Sequence, residues 1–211
     1  MRTVDIDSWA RKEHYRLFRQ FAQPHFNMCA SMDVSAFYPA VKTSCASLTV
    51  AIVYLIARTA NAIPEFRYRL RPQGVIEHEV VHPSATILTG AELFSFCKMP
   101  YCEDFATFHA SALERIAYVN AHLNLTDESD TDDLLFMTSL PWVSFTSFTH
   151  PLPAQPPDSV PRFAWGKITQ EGDRWKMPLS VQAHHALMDG LHMARYYELI
   201  QEGFDQPDFL S

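Results

Sequence analysis

The chain has 211 residues, 47% of them hydrophobic, a formal net charge of -7 and no run of Lys or Arg. That composition can bury a sizeable core in one domain, 1–211, and it argues against nucleic acid or an anionic membrane surface, since both need clustered cations. Four cysteines without a C-x-x-C pair, and an N-terminus that is charged from the start, point to reduced, core-type thiols in a cytoplasmic protein; no apolar stretch is long enough to span a bilayer.

In chain order, the pattern predicts a helix from Ser8 to Phe21, capped by Asp7 or Ser8. Phe26, Met28, Ala30, Met32 and Val34 alternate, so 26–34 reads as a strand with one apolar side. Residues 35–43 read as a short helix interrupted near Pro39, and 48–61 as a longer one stopped before Pro64. Short strands follow at 67–70, 75–78 and 84–88. Phe105, Phe108, Leu113, Ile116 and Val119 at helical spacing predict a helix over 102–124. The run TDESDTDD at 126–133 reads as a solvated acidic loop. Residues 134–148 read as two strands broken at Pro141, and 151–161 as a Pro-rich surface loop. Strands at 162–169 and 174–183, joined by a turn at Gly172, precede a helix from Gly190 to Gly203. Helices early and late around a cluster of strands predict an α+β layered fold with a mixed sheet.

The stretch QAHHALMDGLH at 182–192 sits between the last strand and the last helix. Strand alternation sends His184 and His185 to opposite faces, so at most one serves any given pocket. A neutral imidazole at a strand end over a cavity suits a general base. Asp189, at a helix start, is placed to receive backbone N–H groups or an arginine. Gly190 permits a tight turn or a close backbone approach. A zinc site would need a further ligand, and His192 is the only one nearby, so no metal is expected.

This stretch resembles the active-site signature of the chloramphenicol acetyltransferases, Gln-Val-His-His-Ala-x-x-Asp-Gly-Phe-His. VDIDSWARKEHYRLF at 4–18, IARTANAIPEFRYRL at 56–70, LPWVSFTSF at 140–148 and QEGDRWKMPLSVQAHH at 170–185 are similar to the family in order and spacing. The His-x-x-x-Asp-Gly core also occurs in dihydrolipoyl acyltransferase cores, carnitine acyltransferases and condensation domains; the RKEH and PWVSFTSF segments narrow it. The resemblance implies the two-layer CoA-dependent acyltransferase fold, with helices packed on one face of a mixed β-sheet. It implies direct acetyl transfer from acetyl-CoA to a hydroxyl of chloramphenicol or a similar acceptor, with no acyl-enzyme and no metal. His185 is then the base. Asp189 pairs with Arg11, read as a bidentate pair that fixes the histidine loop. The family is trimeric, with the histidine from one subunit and much of the acceptor pocket from its neighbour.

The same comparison shows departures. Thr138 stands where the family has an oxyanion-binding serine; its hydroxyl donates the same hydrogen bond, but its methyl restricts χ1. Ser47, Leu48, Thr49 and Val50 replace Lys-Phe-Tyr-Pro at the CoA nucleotide end. Ala164 replaces a threonine and Ile168 a tyrosine. Trp142 and Lys167 remain as CoA contacts, and Leu17, Phe18, Phe26, Phe94 and Phe148 fall at acceptor-pocket positions. Two other readings stay open: an acyltransferase of this fold for another hydroxyl acceptor, and a non-catalytic protein that sequesters an aromatic or amphipathic ligand. A dihydrolipoyl acyltransferase core is disfavoured because no lipoyl segment precedes the domain.

Overall fold

A computed structural model describes residues 1–90, 92–125, 131–153 and 158–210. The elements in chain order are β1 (Arg2–Thr3), α1 (Lys12–Phe18), β2 (His25–Asp33), α2 (Phe37–Thr43), α3 (Leu48–Ala62), β3 (Tyr68–Arg71), β4 (Gly74–Glu77), β5 (His82–Leu88), β6 (Phe94–Lys98), α4 (Phe105–Ala121), β7 (Leu134–Leu140), β8 (Arg162–Gly166), β9 (Thr169–Glu171), β10 (Arg174–His184) and α5 (Gly190–Asp205). The main sheet runs β2-β10-β8-β7-β5-β6, with β9 paired to the start of β10. β7 is parallel to both β5 and β8, while the other pairs are antiparallel, so the sheet is mixed.

Leu135 and Met137 of β7, Phe163 and Trp165 of β8, and Leu179, Val181 and Ala183 of β10 share one core with α3, α4 and α5. These helices therefore cover one face of the sheet. Alternation sends Phe136, Thr138, Arg162, Ala164, Ser180 and Gln182 to the other face. There the chain after β7 is laid across β10. The Ser180 hydroxyl lies 2.8 Å from the Phe148 carbonyl, and Gln182 Oε1 accepts the His150 N–H at 2.8 Å. β10 is consequently buried on both sides. α5 comes so close to α3 that a Cβ on Gly203 would stand 2.5 Å from Leu55 Cδ1.

A second, smaller core lies outside the main one. β1, β4 and β3 form a three-stranded sheet. Tyr15 of α1, Val75 of β4, and Ala186 and Leu187 pack together, with Trp9, Phe18 and Tyr68 around them. The loop after β10 is thus held from outside by α1 and the small sheet. Arg69 of β3 is fully buried, and its guanidinium donates to the carbonyls of Phe66, Tyr68, Asp132 and Leu134. Burial pushes it down to about 10 against the nearby aspartates, which leaves it charged at neutral pH.

Several boundaries differ from the sequence reading. α1 starts at Lys12, not Ser8, because Asp5 draws Asp7 N–H and the Ser8 hydroxyl into a local turn. Pro39 does not interrupt α2: it is the third helical residue, where a missing N–H has no intrahelical partner anyway. β6 was not anticipated, since its aromatic residues Phe94 and Phe96 face outward while Ser95 and Cys97 face the core. The segment after Pro141 forms a turn, not a second strand. The strand over 162–169 breaks at Gly166 into β8 and β9. A Cβ there would meet Pro178 Cγ and the Val143 carbonyl at 2.7 Å each.

Of the acidic run, 126–130 lies outside the described residues, while Asp132 and Asp133 are not simply solvated. Asp132 accepts from Arg71 at 2.6 Å and sits 2.9 Å from His78, and Asp133 pairs with Lys98 at 3.3 Å. Of the Pro-rich segment, 154–157 lies outside the described residues, but Ser159 and Val160 are buried beneath β3 rather than on the surface. The four cysteines are free; only Cys97 is buried, and Cys45 is exposed.

Candidate active site

β10 pairs with β2 up to His184, which stands opposite His25. His184 is 2% exposed and accepts the Ala186 N–H on Nδ1. Burial, helped by His25 and His185, pushes it down to about 3, so it is neutral and structural. At His185 the strand ends. The His185 N–H donates to the Pro24 carbonyl at 2.8 Å, outside the ladder. Its imidazole lies parallel to the Phe18 ring, with centroids 3.8 Å apart and planes 5° apart, and Phe26 flanks it at 4.7 Å. Nδ1 lies 3.1 Å from the Met188 carbonyl. A carbonyl only accepts, so Nδ1 carries the proton and Nε2 the lone pair. Nε2 hydrogen-bonds to no described residue. An imidazole in this tautomer leaves its basic nitrogen open to a proton donor, which is the geometry general-base catalysis requires.

Arg11 stands behind this ring. Its Nη1 pairs with Asp189 Oδ2, and its Nη2 donates to the His185 carbonyl at 2.8 Å. The expected bidentate pair is thus a bridge, one arm on the carboxylate and one on the backbone of His185. Burial raises the Asp189 carboxyl, but Arg11, His192 and the Leu191 N–H outweigh it and hold it down at about 2. Asp189 also caps α5, accepting the Leu191 N–H at 3.1 Å. His192 Nδ1 accepts the Asp189 N–H at 3.1 Å, and its Nε2 lies 3.4 Å from Glu65. Among the described residues no group of three His, Cys, Asp or Glu is placed to hold a metal. Gly190 is not demanded by sterics, since a Cβ there would meet nothing within 4 Å.

The remaining residues singled out by sequence divide into separate places. Phe18 and Phe26 are at His185, and Leu17 is exposed beside Phe18 on α1. Thr138 is far off. It pairs with Ala164, which pairs with Ser180, five residues before His185. Two strand spacings and five extended residues put the two Cα atoms roughly 19 Å apart. Phe148 packs against Phe145 and His150 over the same face as Thr138. Phe94 lies on β6, at the opposite end of the sheet from β2, and is 48% exposed. One chain therefore does not bring His185 together with Thr138, Phe94 or Phe148.

A third place is a cavity of about 290 Å³ at the ends of β7 and β8, lined by Tyr38, Thr49, Ser139, Trp165, Lys167 and Ile168 among others. Thr49, Lys167 and Ile168, positions assigned to CoA by resemblance, do converge here. Trp142 does not line it and is 62% exposed. Ser47 instead caps α3, its hydroxyl accepting the Val50 N–H. Ser139, one residue after Thr138, faces this cavity, so the two hydroxyls are on opposite sides of the sheet. Sequence reasoning missed Tyr38, whose i, i+4 spacing to Lys42 was the available signal, and the roles of Pro24 and Met188, which act through backbone carbonyls and leave no side-chain signature.

The fold matches a solved chloramphenicol acetyltransferase with a TM-score of 0.85 and 27% identity, covering 100% of both chains. It also matches the dihydrolipoamide acetyltransferase of Azotobacter vinelandii, with a TM-score of 0.69 over 89% of this chain and 84% of that one; at 19% identity this speaks to the fold alone. Fold and histidine loop define an acyltransferase of the CoA-dependent type. The sequence narrows it: residues 1–201 match the family described as chloramphenicol acetyltransferase, and a chloramphenicol acetyltransferase of Klebsiella sp is 34% identical over 97% of this chain and 94% of its own length. The chain belongs to the chloramphenicol acetyltransferase family.

Proposed function

We propose that this protein transfers the acetyl group of acetyl-CoA to a hydroxyl of chloramphenicol or a closely similar small acceptor, as a cytoplasmic, single-domain subunit of a homotrimer and without a metal. The carrying observation is the His185 tautomer: Nδ1–H engaged by the Met188 carbonyl, Nε2 free. Nε2 takes the acceptor hydroxyl proton as that oxygen attacks the thioester carbonyl. The Thr138 hydroxyl donates to the resulting oxyanion. When the tetrahedral intermediate collapses, the C–S bond breaks, and the CoA thiolate recovers the proton from Nε2. One such donor accounts for about a hundredfold in rate.

The separation of His185 from Thr138 favours a site shared between copies, with His185, Phe18 and Phe26 from one and Thr138, Phe94 and Phe148 from the next. The exposed Phe94, Leu88, Trp142 and Val143 are apolar surface of the kind that such an assembly covers. The test is thiol release by purified protein given acetyl-CoA and chloramphenicol, with His185→Ala as control. Turnover at least about a hundredfold above that variant is expected; a wild type no faster than the variant overturns the reading.

A further inference from the structure

The ring nitrogens of His25 and His150 are all buried, and none hydrogen-bonds to a described residue. Gln182 lies alongside the His150 ring, but its Oε1 is taken by the His150 N–H, and the Asp158 backbone runs beside His25. A buried polar atom left unpaired costs free energy that an apolar side chain of similar shape would not. Both histidines line one cavity of about 510 Å³ at the ends of β2 and β10, together with Pro24, Leu152, Pro153 and Gln182. The Pro24 carbonyl holds the His185 N–H. The His150 ring lies 4.9 Å from Phe148, over the face that carries Thr138. The cavity therefore borders the acceptor half of the site described above.

Its lining is uncharged: among the described residues no Asp, Glu, Lys or Arg forms part of it. Arg162, the buried cation that acts on both rings, is held by the two oxygens of Asp158 and lies over the Phe136 ring at 5.2 Å. Burial first, then Arg162, pushes His150 down to about 4 and His25 below its ordinary value. Each imidazole is thus neutral at neutral pH and offers one N–H donor and one bare nitrogen. Rotation about χ2 exchanges the nitrogen and carbon edges of a ring, so a ligand in the cavity can draw the nitrogens towards itself. Such donors and acceptors beside proline and leucine walls fit an uncharged molecule that carries hydroxyl or amide groups on an apolar frame. A charged one would lose its hydration with no counter-ion to replace it.

Resting on the acetyltransferase reading above, we infer that His150, with His25 in the same cavity, is a specificity-determining residue. It hydrogen-bonds a second polar group of the acceptor, a hydroxyl or amide other than the hydroxyl that is acetylated. It thereby selects uncharged acceptors with several polar groups over simple alcohols.

Acceptor kinetics at saturating acetyl-CoA test this with chloramphenicol and para-nitrobenzyl alcohol, which keeps the aromatic ring and one hydroxyl only. Wild type is expected to favour chloramphenicol at least about a hundredfold in kcat/KM. His150→Leu should cut that preference about tenfold, through the KM for chloramphenicol, and leave the KM for acetyl-CoA unchanged. His150→Asn, which keeps a donor and an acceptor, should retain the preference. Thermal melts separate this from a structural role. Leucine leaves no unpaired nitrogen, so free His150→Leu should melt no lower than wild type. A variant that melts clearly lower or fails to fold would show that the ring is paired within the fold or by a second copy, and overturns the inference. So does a His150→Leu protein that keeps the preference, or a loss shared equally by Leu and Asn. Calorimetric binding of chloramphenicol that depends on His150 in this way, in a protein that releases no thiol, would leave the inference standing and remove the acetyltransferase reading. Turnover indifferent to His150 would do the reverse.

Discussion

Arg11 reaches the His185 carbonyl with one arm of its guanidinium and Asp189 with the other, so the backbone of His185 and the cap of α5 are tied to a single side chain. A lysine has one point charge and cannot hold both acceptors in that fixed geometry. Arg11→Lys is expected to cost about 1–2 kcal/mol of stability, after discount for the partial exposure of Asp189, and to lower kcat tenfold or more. Urea titration and steady-state kinetics check this. Because Arg11 acts through His185, the kcat pH profile should shift as well; an unchanged profile with lower stability would mean that Arg11 only supports the fold.

If His185 and Thr138 meet only across copies, two inactive variants should complement each other. His185→Ala and Thr138→Ala, refolded together as equal mixtures, leave roughly a quarter of the sites with both residues intact, by the arithmetic of a ring in which each site takes one residue from each neighbour. Activity of the mixture well above the sum of the two separate variants is expected. A mixture that only averages them removes the shared site. Thr138→Ser should retain activity, whereas Thr138→Ala loses about a hundredfold.

Stability should fall on mild acidification. Burial pushes His184 down to about 3 and His150 down to about 4, from 6.5. Below 6.5 the unfolded chain therefore takes up protons that the folded chain refuses. The stability is fully present above 6.5 and is lost progressively as pH falls towards the folded values, by about 2 kcal/mol for each histidine at pH 5. Asp189, held at about 2, contributes above 3.8 and is lost only below that. Urea midpoints at pH 7.5 and pH 5 measure the difference, and His150→Asn should shrink it. An undiminished difference in that variant would show that His150 does not titrate on unfolding.

Two glycines should respond oppositely to alanine. Gly166→Ala places a methyl 2.7 Å from Pro178 Cγ and from the Val143 carbonyl, and a backbone carbonyl cannot swing aside as a side chain can. A loss of about 1–3 kcal/mol is expected. Gly190→Ala meets nothing within 4 Å and enters the first turn of α5, so a small gain, up to about 1 kcal/mol, is expected. Thermal melts of the two variants decide it.

Much of the fold was legible because its signals are local. The alternation in β2 and the apolar run of α3 survive in the structure within one or two residues. β6 was hidden because its apolar residues point away from the core, reversing the usual pattern. The early start assigned to α1 failed because Asp5 competes for the groups that would have capped it. At the site, Asp189 and Arg11 were named from sequence as partners, but the second arm of Arg11, to a backbone carbonyl, has no residue type that announces it.

By itself the sequence named the candidate residues and the family, because side-chain identity and spacing along the chain are local quantities. Only the tertiary structure decided that Nε2 of His185 is the free nitrogen, that Thr138 lies roughly 19 Å from it in the same chain, and that Thr49, Lys167 and Ile168 line one cavity. Tautomers follow from which carbonyl the fold presents, and distances across a sheet follow from strand order; neither is written in any short stretch of chain.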